Sequence, residues 1–237
     1  MTEKTFAGKL ALVTGASRGI GAATALALAE RGAHVVLTAR TAGGLEEVEE
    51  RIHAAGGSAT IAPLDLTDGD SIGRLSGAVA ERWEALDILV LNAAMLGTLA
   101  PVSAIDPKEF ARLITLNLTA QQAVIAAFDP LLRKSKDARV VAITSSVAQN
   151  PRAYWGAYGA SKAALETLII AYGEEVKNIS AIRTAILDPG ATRTAMRARA
   201  YPGEDPATLK SPETVAQALV RLISNGAPTG YRMRVEG

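Results

Sequence analysis

The chain of 237 residues has no cysteine and only two histidines. Because cysteine is missing, disulfides, thiolate metal sites and cysteine nucleophiles are excluded. His34 and His53 each stand alone near the end of a predicted element, which argues against a zinc cluster or a histidine-based catalytic triad. The sequence therefore predicts no metal site.

Strong net charge and long apolar runs are missing as well. The formal net charge is +1, so nothing indicates a nucleic-acid partner or an anionic membrane surface. The first residues, MTEKTFAGK, contain no apolar signal core, and no stretch reaches about 18 uninterrupted apolar residues. We expect a cytoplasmic protein without a membrane partner.

What the sequence does contain is 49% hydrophobic residues in alternating strand and helix patterns. Short apolar segments predict strands near 9–14, 34–39, 59–64, 87–92, 139–145, 181–187 and 230–235. Helical patterns lie between them, including one near 69–83 and one that begins at Ser211 and Pro212. We predict a single α/β domain, 1–237, with a Rossmann-type doubly wound, seven-stranded, mainly parallel sheet and helices on both faces.

The motif TGASRGIG, from Thr14 to Gly21, follows the first predicted strand and opens a helical pattern. Unpaired backbone N–H groups at the start of a helix attract anions. Gly15, Gly19 and Gly21 omit side chains where the backbone must turn tightly or approach a pyrophosphate. The motif predicts dinucleotide binding, with an ordinary strand-to-helix turn as the alternative.

The second predicted strand ends in Ala39 and Arg40, without the acidic residue that would bind the adenosine ribose of NAD. Arg40 and Arg18 could together hold the 2′-phosphate of NADP, or both could simply be solvated. The sequence therefore favours NADP(H) over NAD(H).

Two further strand ends carry candidate cofactor contacts. After the third strand, Asp65 could accept a hydrogen bond from the adenine amino group or cap the helix that follows. After the fourth strand, Asn92, Ala93 and Ala94 could let the chain pass close to a ligand or pack tightly in the core.

Tyr158 and Lys162 stand four residues apart, which places phenol and ammonium on one face of a predicted helix. A phenol with a pKa of about 10 must lose about 3 units, or ~4 kcal/mol, to act near neutrality. A cation about 4 Å away supplies energy of that size. We therefore expect Lys162, helped by the positive charge of an oxidised nicotinamide, to lower the pKa of Tyr158, and Tyr158 to act as a general acid/base at a carbonyl or alcohol oxygen.

The motifs TGASRGIG, LNAA, ITLNLTA, ITSSVA, YGASK and DPGATRT occur in the order and at the distances typical of short-chain dehydrogenases/reductases. The chain resembles the compact Tyr-x-x-x-Lys branch of that family over nearly all its length. The segment from WGAYGASK to TRTAMRARAYPGEDP further resembles bacterial YciK-type oxidoreductases.

The resemblance implies roles for the motif residues. Asn117 would hold a water that links Lys162 to solvent, Ser146 would bind the reacting oxygen, Tyr158 would move its proton, and Lys162 would bind the nicotinamide ribose. With Gly19 and Arg40 from the arguments above, the expected cofactor-binding residues are Gly15, Ser17, Arg18, Gly19, Ile20, Gly21, Arg40, Asp65, Leu66, Asn92, Ala93, Tyr158, Lys162, Pro189, Gly190, Thr192 and Thr194.

The chain departs from the family pattern at Ala94 and Gln149, where glycine is usual, and at Thr192, where isoleucine or valine is common. Ser145 has the usual spacing of thirteen residues before Tyr158. Ser146 fits the local motif if the following loop is one residue shorter, and we choose Ser146.

We expect an NADP(H)-dependent oxidoreductase for a small carbonyl/alcohol substrate, with a 3-oxoacyl thioester reductase and a non-catalytic dinucleotide sensor or scaffold as alternatives. The expected pocket is mainly apolar and comprises Met95, Leu96, Val147, Gln149, Trp155 and the 195–207 loop. Arg193, Arg197 and Arg199 could meet an anionic substrate or be solvated. The resemblance also implies a homodimer or homotetramer, built through the last strand and the helices near 106–128 and 157–176.

Overall fold

Seven parallel strands form the centre of the fold. The computed structural model describes residues 4–236, so the outermost residues of the predicted domain, 1–3 and 237, lie outside the described part. The strands, in chain order β1 to β7, are Leu10–Thr14, His34–Ala39, Ser58–Pro63, Ile88–Leu91, Arg139–Ile143, Arg183–Asp188 and Tyr231–Arg234. Their order in the sheet is β3-β2-β1-β4-β5-β6-β7, and each neighbouring pair is parallel.

Helices connect the strands and cover both faces of the sheet. In chain order α1 to α8 they are Gly19–Glu30, Ala42–Ala54, Gly69–Arg82, Pro107–Ile114, Ala120–Leu132, Gly156–Val176, Ala195–Ala200 and Pro212–Ser224. A π-helical turn, Thr115–Thr119, joins α4 to α5. Asp68 caps α3, and Ser211 caps α8 with Pro212 in the first turn, as the sequence predicts for α8.

Two apolar cores lie on opposite faces of the sheet. One joins α1, α2 and α8 to side chains such as Val13, Val90 and Leu187. The other joins α3, α5 and α6 to side chains such as Leu12 and Leu89. Strands covered on both faces bury every residue, which explains the unbroken apolar runs of β1, β4 and β5.

The predicted fold class is confirmed, because the structure is a single Rossmann-type, doubly wound domain. The sheet is parallel throughout rather than mainly parallel. The chain winds outward from β1 in one direction and from β4 in the other, so the connections diverge between these two strands. In such sheets a crevice forms beyond the carboxyl ends of the strands at this switch point, and ligands bind there.

None of the helices within residues 4–236 combines the length and apolar character needed to cross a membrane. Across that part of the chain, no group of three or more histidine and acidic side chains is placed to hold a metal ion.

Candidate active site

The glycine turn between β1 and α1 needs its glycines for geometric reasons. Gly15 and Gly19 have φ angles of +65° and +58°, in the left-handed region that side chains disfavour. A Cβ atom on Gly21 would lie 2.5 Å from Nδ2 of Asn92, and closer still to the carbonyl oxygen of Gly15. The backbone therefore packs against itself here and leaves the mouth of the turn without side chains.

The N-terminus of α1 is open to an anion. Arg18 is the N-cap residue, its side chain makes no capping hydrogen bond, and within residues 4–236 the first turn carries no acid. By contrast, Asp68 and Ser211 cap α3 and α8. The free N–H groups and the helix dipole of α1 therefore suit a pyrophosphate, the group that the sequence motif predicts.

Asn92 and Thr14 brace this turn from β4. Asn92 Nδ2 donates to the carbonyl oxygens of Thr14 and Gly15 at 2.9 and 3.1 Å. Thr14 Oγ1 accepts from the backbone N–H groups of Asn92 and Ala93 at 2.9 and 3.0 Å. Asn92 thus shapes the phosphate turn, and its expected contact with the cofactor stays a prediction. Sequence reasoning did not identify Thr14 as a bracing residue, although its position at the end of β1, directly before Gly15, indicates such a role.

Arg18 and Arg40 are exposed at the edge of the crevice, and neither forms a salt bridge with any other described residue. Asp65 Oδ1 accepts from the backbone N–H and the hydroxyl of Thr67, at 2.9 and 2.8 Å. These hydrogen bonds lower the pKa of Asp65, and the charge of Arg40 lowers it further. Because Asp68 caps α3, the alternative that Asp65 caps this helix is wrong. Leu66, beside it, is buried.

Tyr158 and Lys162 lie in the first two turns of α6, and both are buried. Lys162 Nζ donates to the carbonyl oxygen of Ile143 at 2.8 Å and lies 5.9 Å from the centre of the Tyr158 ring. Among the described residues, the Tyr158 hydroxyl finds one partner, the thioether sulfur of Met196 at 3.9 Å. The two predicted groups are therefore neighbours, with the ammonium held at the end of β5.

The expected direction of the Tyr158 pKa is wrong for this structure. Burial raises the pKa of the Tyr158 hydroxyl above its ordinary value, and the negative charge of Asp188 acts in the same direction. Burial also lowers the pKa of Lys162 to about 8, against an opposing effect of Glu166. Desolvation in the apolar cluster around the phenol is the largest cause of the raised Tyr158 pKa.

Asn117 lies in the π-helical turn, and its side chain is fully engaged. Oδ1 accepts from the N–H of Met95 at 2.8 Å, while Nδ2 donates to the Met95 carbonyl and to the Ser161 hydroxyl at 2.9 and 3.0 Å. The Asn117 side chain therefore joins the loop after β4 to α6. A water at this position would have to bind the Asn117 backbone rather than its side chain.

Ser145 and Ser146 follow β5 and are both half-buried. Ser145 has extended backbone angles, and Ser146 begins a 3₁₀ turn, Ser146–Ala148. Ser146 Oγ lies 3.5 Å from a guanidinium nitrogen of Arg152. The turn packs on α6, because a Cβ atom on Gly159 would lie 3.1 Å from the carbonyl oxygen of Val147. Both serines therefore border Tyr158, and the choice of Ser146 stays a prediction.

The segment after β6 closes the opposite wall of the crevice. Gly190 has a φ angle of +61° and donates its N–H to Asp188 at 3.0 Å, next to Pro189. Thr192 is buried, and its hydroxyl donates to the Pro189 carbonyl at 3.0 Å. Thr194 caps α7, and its methyl group would lie 3.6 Å from a Cβ atom on Gly19. Thr194 thus faces the glycine turn across the crevice.

An apolar cluster covers the Tyr158 hydroxyl. Its buried members are Leu96, Val147 and Tyr158, and the side chains packed against them are Leu99, Trp155, Met196 and Ala200. Leu96, Val147, Trp155 and two residues of the 195–207 loop, which the sequence assigns to the substrate pocket, therefore lie together around Tyr158. Gln149 is an exception, because it is exposed and turns its amide toward Glu166 on α6.

Arg197 is not available to a substrate. Its guanidinium donates to both carboxylate oxygens of Glu204, at 2.6 and 2.5 Å, and stacks over the Tyr201 ring at 3.8 Å. Tyr201 in turn stacks on Trp155, with ring centres 5.7 Å apart. Sequence reasoning missed Glu204, although an acid seven residues after an arginine in the same loop was the available signal. Arg193 and Arg199 are exposed.

The fold and the crevice define a Rossmann-type dinucleotide-binding protein. A family model described as short chain dehydrogenase matches residues 9–205. The oxidoreductase YciK of Escherichia coli strain K12 is 36% identical over 87% of this chain and 82% of its own length. The chain therefore belongs to the short-chain dehydrogenase/reductase family, a family of oxidoreductases, as its motifs predict.

Solved structures agree with this assignment. A short-chain dehydrogenase from Pseudomonas syringae superimposes with a TM-score of 0.96 and 36% identity, covering 99% of this chain and 97% of its own. A short-chain dehydrogenase from Shigella flexneri 2a, solved in complex with NADP, gives a TM-score of 0.94 and 32% identity over 100% of both chains.

Proposed function

We propose that the protein is an NADP(H)-dependent reductase of uncharged, largely apolar ketones or aldehydes, with Tyr158 as the proton donor. The observation that carries the proposal is the position of the Tyr158 hydroxyl. It lies in an apolar cluster, beside Lys162, at the end of the sheet where the glycine turn leaves a helix N-terminus uncapped. The matching relative solved with NADP supports the choice of cofactor.

The residues present fit a bound dinucleotide phosphate. The turn has no room for side chains at Gly15 and Gly21, Gly19 has a left-handed φ angle, and the turn presents free N–H groups. Arg18 and Arg40 offer unpaired guanidinium groups beside it. NADPH would supply the hydride. The chain's own residues would hold its phosphates, orient the carbonyl group and deliver a proton to the carbonyl oxygen.

Proton delivery is the step that this pair of residues suits. Because burial raises the pKa of Tyr158, the phenol is protonated at neutral pH and ready to donate as a carbonyl oxygen gains negative charge. Lys162, with a pKa of about 8, is mostly cationic at pH 7 and stabilises the phenolate that remains. A hydroxyl of Ser146 or Ser145 would bind the same oxygen. These properties favour reduction over alcohol oxidation at neutral pH.

The substrate class follows from the lining of the pocket. The side chains around the Tyr158 hydroxyl are apolar, and Arg197 in the loop that packs against them is paired with Glu204. A neighbouring cavity is bordered by Ala157 and by the carboxylates of Asp106 and Glu109. An acidic rim disfavours anionic substrates, which counts against a 3-oxoacyl thioester on a phosphorylated carrier.

Replacing the end of β2 should change the cofactor preference. In the Ala39→Asp/Arg40→Ser double variant, the carboxylate can bind a ribose hydroxyl but repels a 2′-phosphate. We expect NADPH affinity to fall roughly 10- to 100-fold and the NADH/NADPH preference to rise. Fluorescence titration with each dinucleotide measures both constants. Arg221→Ser, an exposed arginine on α8, should leave both affinities unchanged. Unchanged preference in the double variant would contradict the phosphate assignment.

Met196→Ala should open the pocket in front of the phenol, because the Met196 sulfur lies 3.9 Å from the Tyr158 hydroxyl. We expect kcat/KM for bulky ketones to rise about tenfold relative to acetone-sized ones. The reason is that the shorter side chain leaves space for additional methylene groups of the substrate. Steady-state assays with a graded ketone series measure the change. Arg199→Ala, exposed on the same helix, is the matched control. An identical substrate ranking in the two variants would show that Met196 does not limit the pocket.

A further inference from the structure

Glu166 is a buried carboxylate that the predicted catalytic set does not include. It lies one helical turn after Lys162 on α6 and is 7% exposed. Its Oε1 accepts from the Thr144 hydroxyl at 2.5 Å and pairs with Nη2 of Arg232 at 3.1 Å. Its Oε2 accepts from Nε2 of Gln149 at 3.4 Å. Burying a carboxylate costs free energy of folding because the charge loses its hydration. A buried acid with partners from three parts of the chain therefore invites a functional explanation.

These contacts hold the serine turn at both ends. Thr144 precedes Ser145, and Gln149 follows the 3₁₀ turn Ser146–Ala148. One residue before Thr144, the carbonyl oxygen of Ile143 accepts from Lys162 Nζ at 2.8 Å. Helix α6 thus fixes the serine segment through Lys162 and Glu166. This also accounts for Gln149, because glycine at that position has no amide to reach the carboxylate.

The charge of Glu166 acts on Lys162 as well. Tyr158 and Glu166 on α6 are the titratable side chains that bear on this amine, and Asp188 at the end of β6 acts on Tyr158. Arg232 on β7 pairs with the same Glu166 carboxylate. Glu166 opposes the effect of burial and favours the ammonium form of Lys162. Arg232, bound to the same carboxylate, offsets part of that negative charge.

We propose that Glu166 is a positioning residue of the active site, which holds the serine turn against the helix of Tyr158 and Lys162 and places its negative charge one helical turn from Lys162. The proposal rests on the proposed function for the role of the serine and of Tyr158. Its electrostatic part concerns this chain alone, because it requires only that Glu166 and Arg232 bias Lys162 in opposite directions.

Two variants that each remove one charge test the electrostatic part. Glu166→Gln keeps the size and most hydrogen bonds but removes the negative charge, so Lys162 should titrate about one pH unit lower. Arg232→Gln removes the positive charge, so Lys162 should titrate higher. The readout is NMR of the cofactor-free protein labelled with ¹³C at lysine Cε, with the Lys162 signal assigned by its loss in Lys162→Met.

Kinetics test the positioning part. With NADPH and an apolar ketone such as cyclohexanone, the basic limb of the kcat/KM profile, expected near pH 8 for wild type, should shift the same way as the NMR titration in each variant. Gln149→Ala should lower kcat about three- to tenfold without moving the limb, because it removes a tie to the serine turn and no charge. The Kd for NADPH and the thermal midpoint separate these effects from misfolding.

The outcomes distinguish this proposal from the proposed function. If wild type reduces no carbonyl compound, the proposed function fails, yet the NMR titrations still decide the electrostatic part. A wild-type Lys162 titration in Glu166→Gln, or shifts of the same sign in both charge variants, overturns that part. Wild-type kcat in both Glu166→Gln and Gln149→Ala overturns the positioning part. If Glu166→Gln does not fold, Arg232→Gln must still raise the Lys162 titration, and failure to do so overturns the proposal.

Discussion

The Tyr158→Phe variant should lose turnover by about 10²- to 10⁴-fold, the usual contribution of a general acid. The phenol is the group placed to donate a proton in the apolar cluster, and phenylalanine keeps the ring while removing the proton. NADPH affinity should stay within about threefold of wild type, because the ring rather than the hydroxyl packs beside Lys162. Steady-state assays with several ketones, and fluorescence titration with NADPH, measure the two quantities.

The structure indicates that the Tyr158→Phe substitution removes the proton donor without disturbing the packing of the site. Within residues 4–236, the Tyr158 hydroxyl has only the weak thioether acceptor of Met196, so its removal leaves no buried donor or acceptor without a partner. The thermal midpoint should therefore be unchanged or slightly raised. Tyr154→Phe, four residues earlier and 59% exposed, is the matched control and should keep activity within about twofold. Full activity of Tyr158→Phe with several substrates would rule out the proton-donor role.

The fold could be predicted from local patterns because the sheet is covered on both faces. Each central strand is an apolar run, and each helix start that the sequence signals strongly, such as Ser211-Pro212, is one that a side chain caps. The glycine turn could also be predicted, because its motif is local and Gly15 and Gly19 adopt left-handed φ angles that glycine takes most readily. The contacts that Asn92 and Thr194 make with this turn come from distant parts of the chain.

The parts that could not be predicted depend on contacts between distant residues. The sign of the Tyr158 pKa depends on desolvation by side chains such as Leu96 and Met196, which lie far apart in sequence. The engagement of Asn117 depends on Met95 and Ser161. The pairing of Arg197 with Glu204 depends on how one loop folds back. Motifs identify which residues meet in the crevice, but not what each of them contacts there.

The glycine turn illustrates how the site is prepared before any ligand arrives. Helices α3 and α8 satisfy their first N–H groups with Asp68 and Ser211, whereas α1 begins at an arginine that points into solvent. The free N–H groups of α1 cost stability in the free protein and are recovered when an anion binds. Asn92 makes this possible, because it ties the carbonyl groups of the turn to β4 and leaves the N–H groups facing outward.

The Gly21→Ala variant should therefore lose NADPH affinity by at least about 100-fold, or ~2.7 kcal/mol. The new methyl group would lie 2.5 Å from Asn92 Nδ2 and closer to the Gly15 carbonyl oxygen, and neither atom can retreat without breaking the brace between β4 and the turn. Overpacking of this kind also destabilises a protein by about 1–3 kcal/mol, so thermal unfolding must accompany fluorescence titration with NADPH.

Gly73→Ala, in the interior of α3 with open space around its Cβ position, is the matched control. It should bind NADPH normally and gain about 0.4–1 kcal/mol of stability. A Gly21→Ala protein that stays folded and binds NADPH within a few-fold of wild type would mean that the pyrophosphate does not rest on this turn.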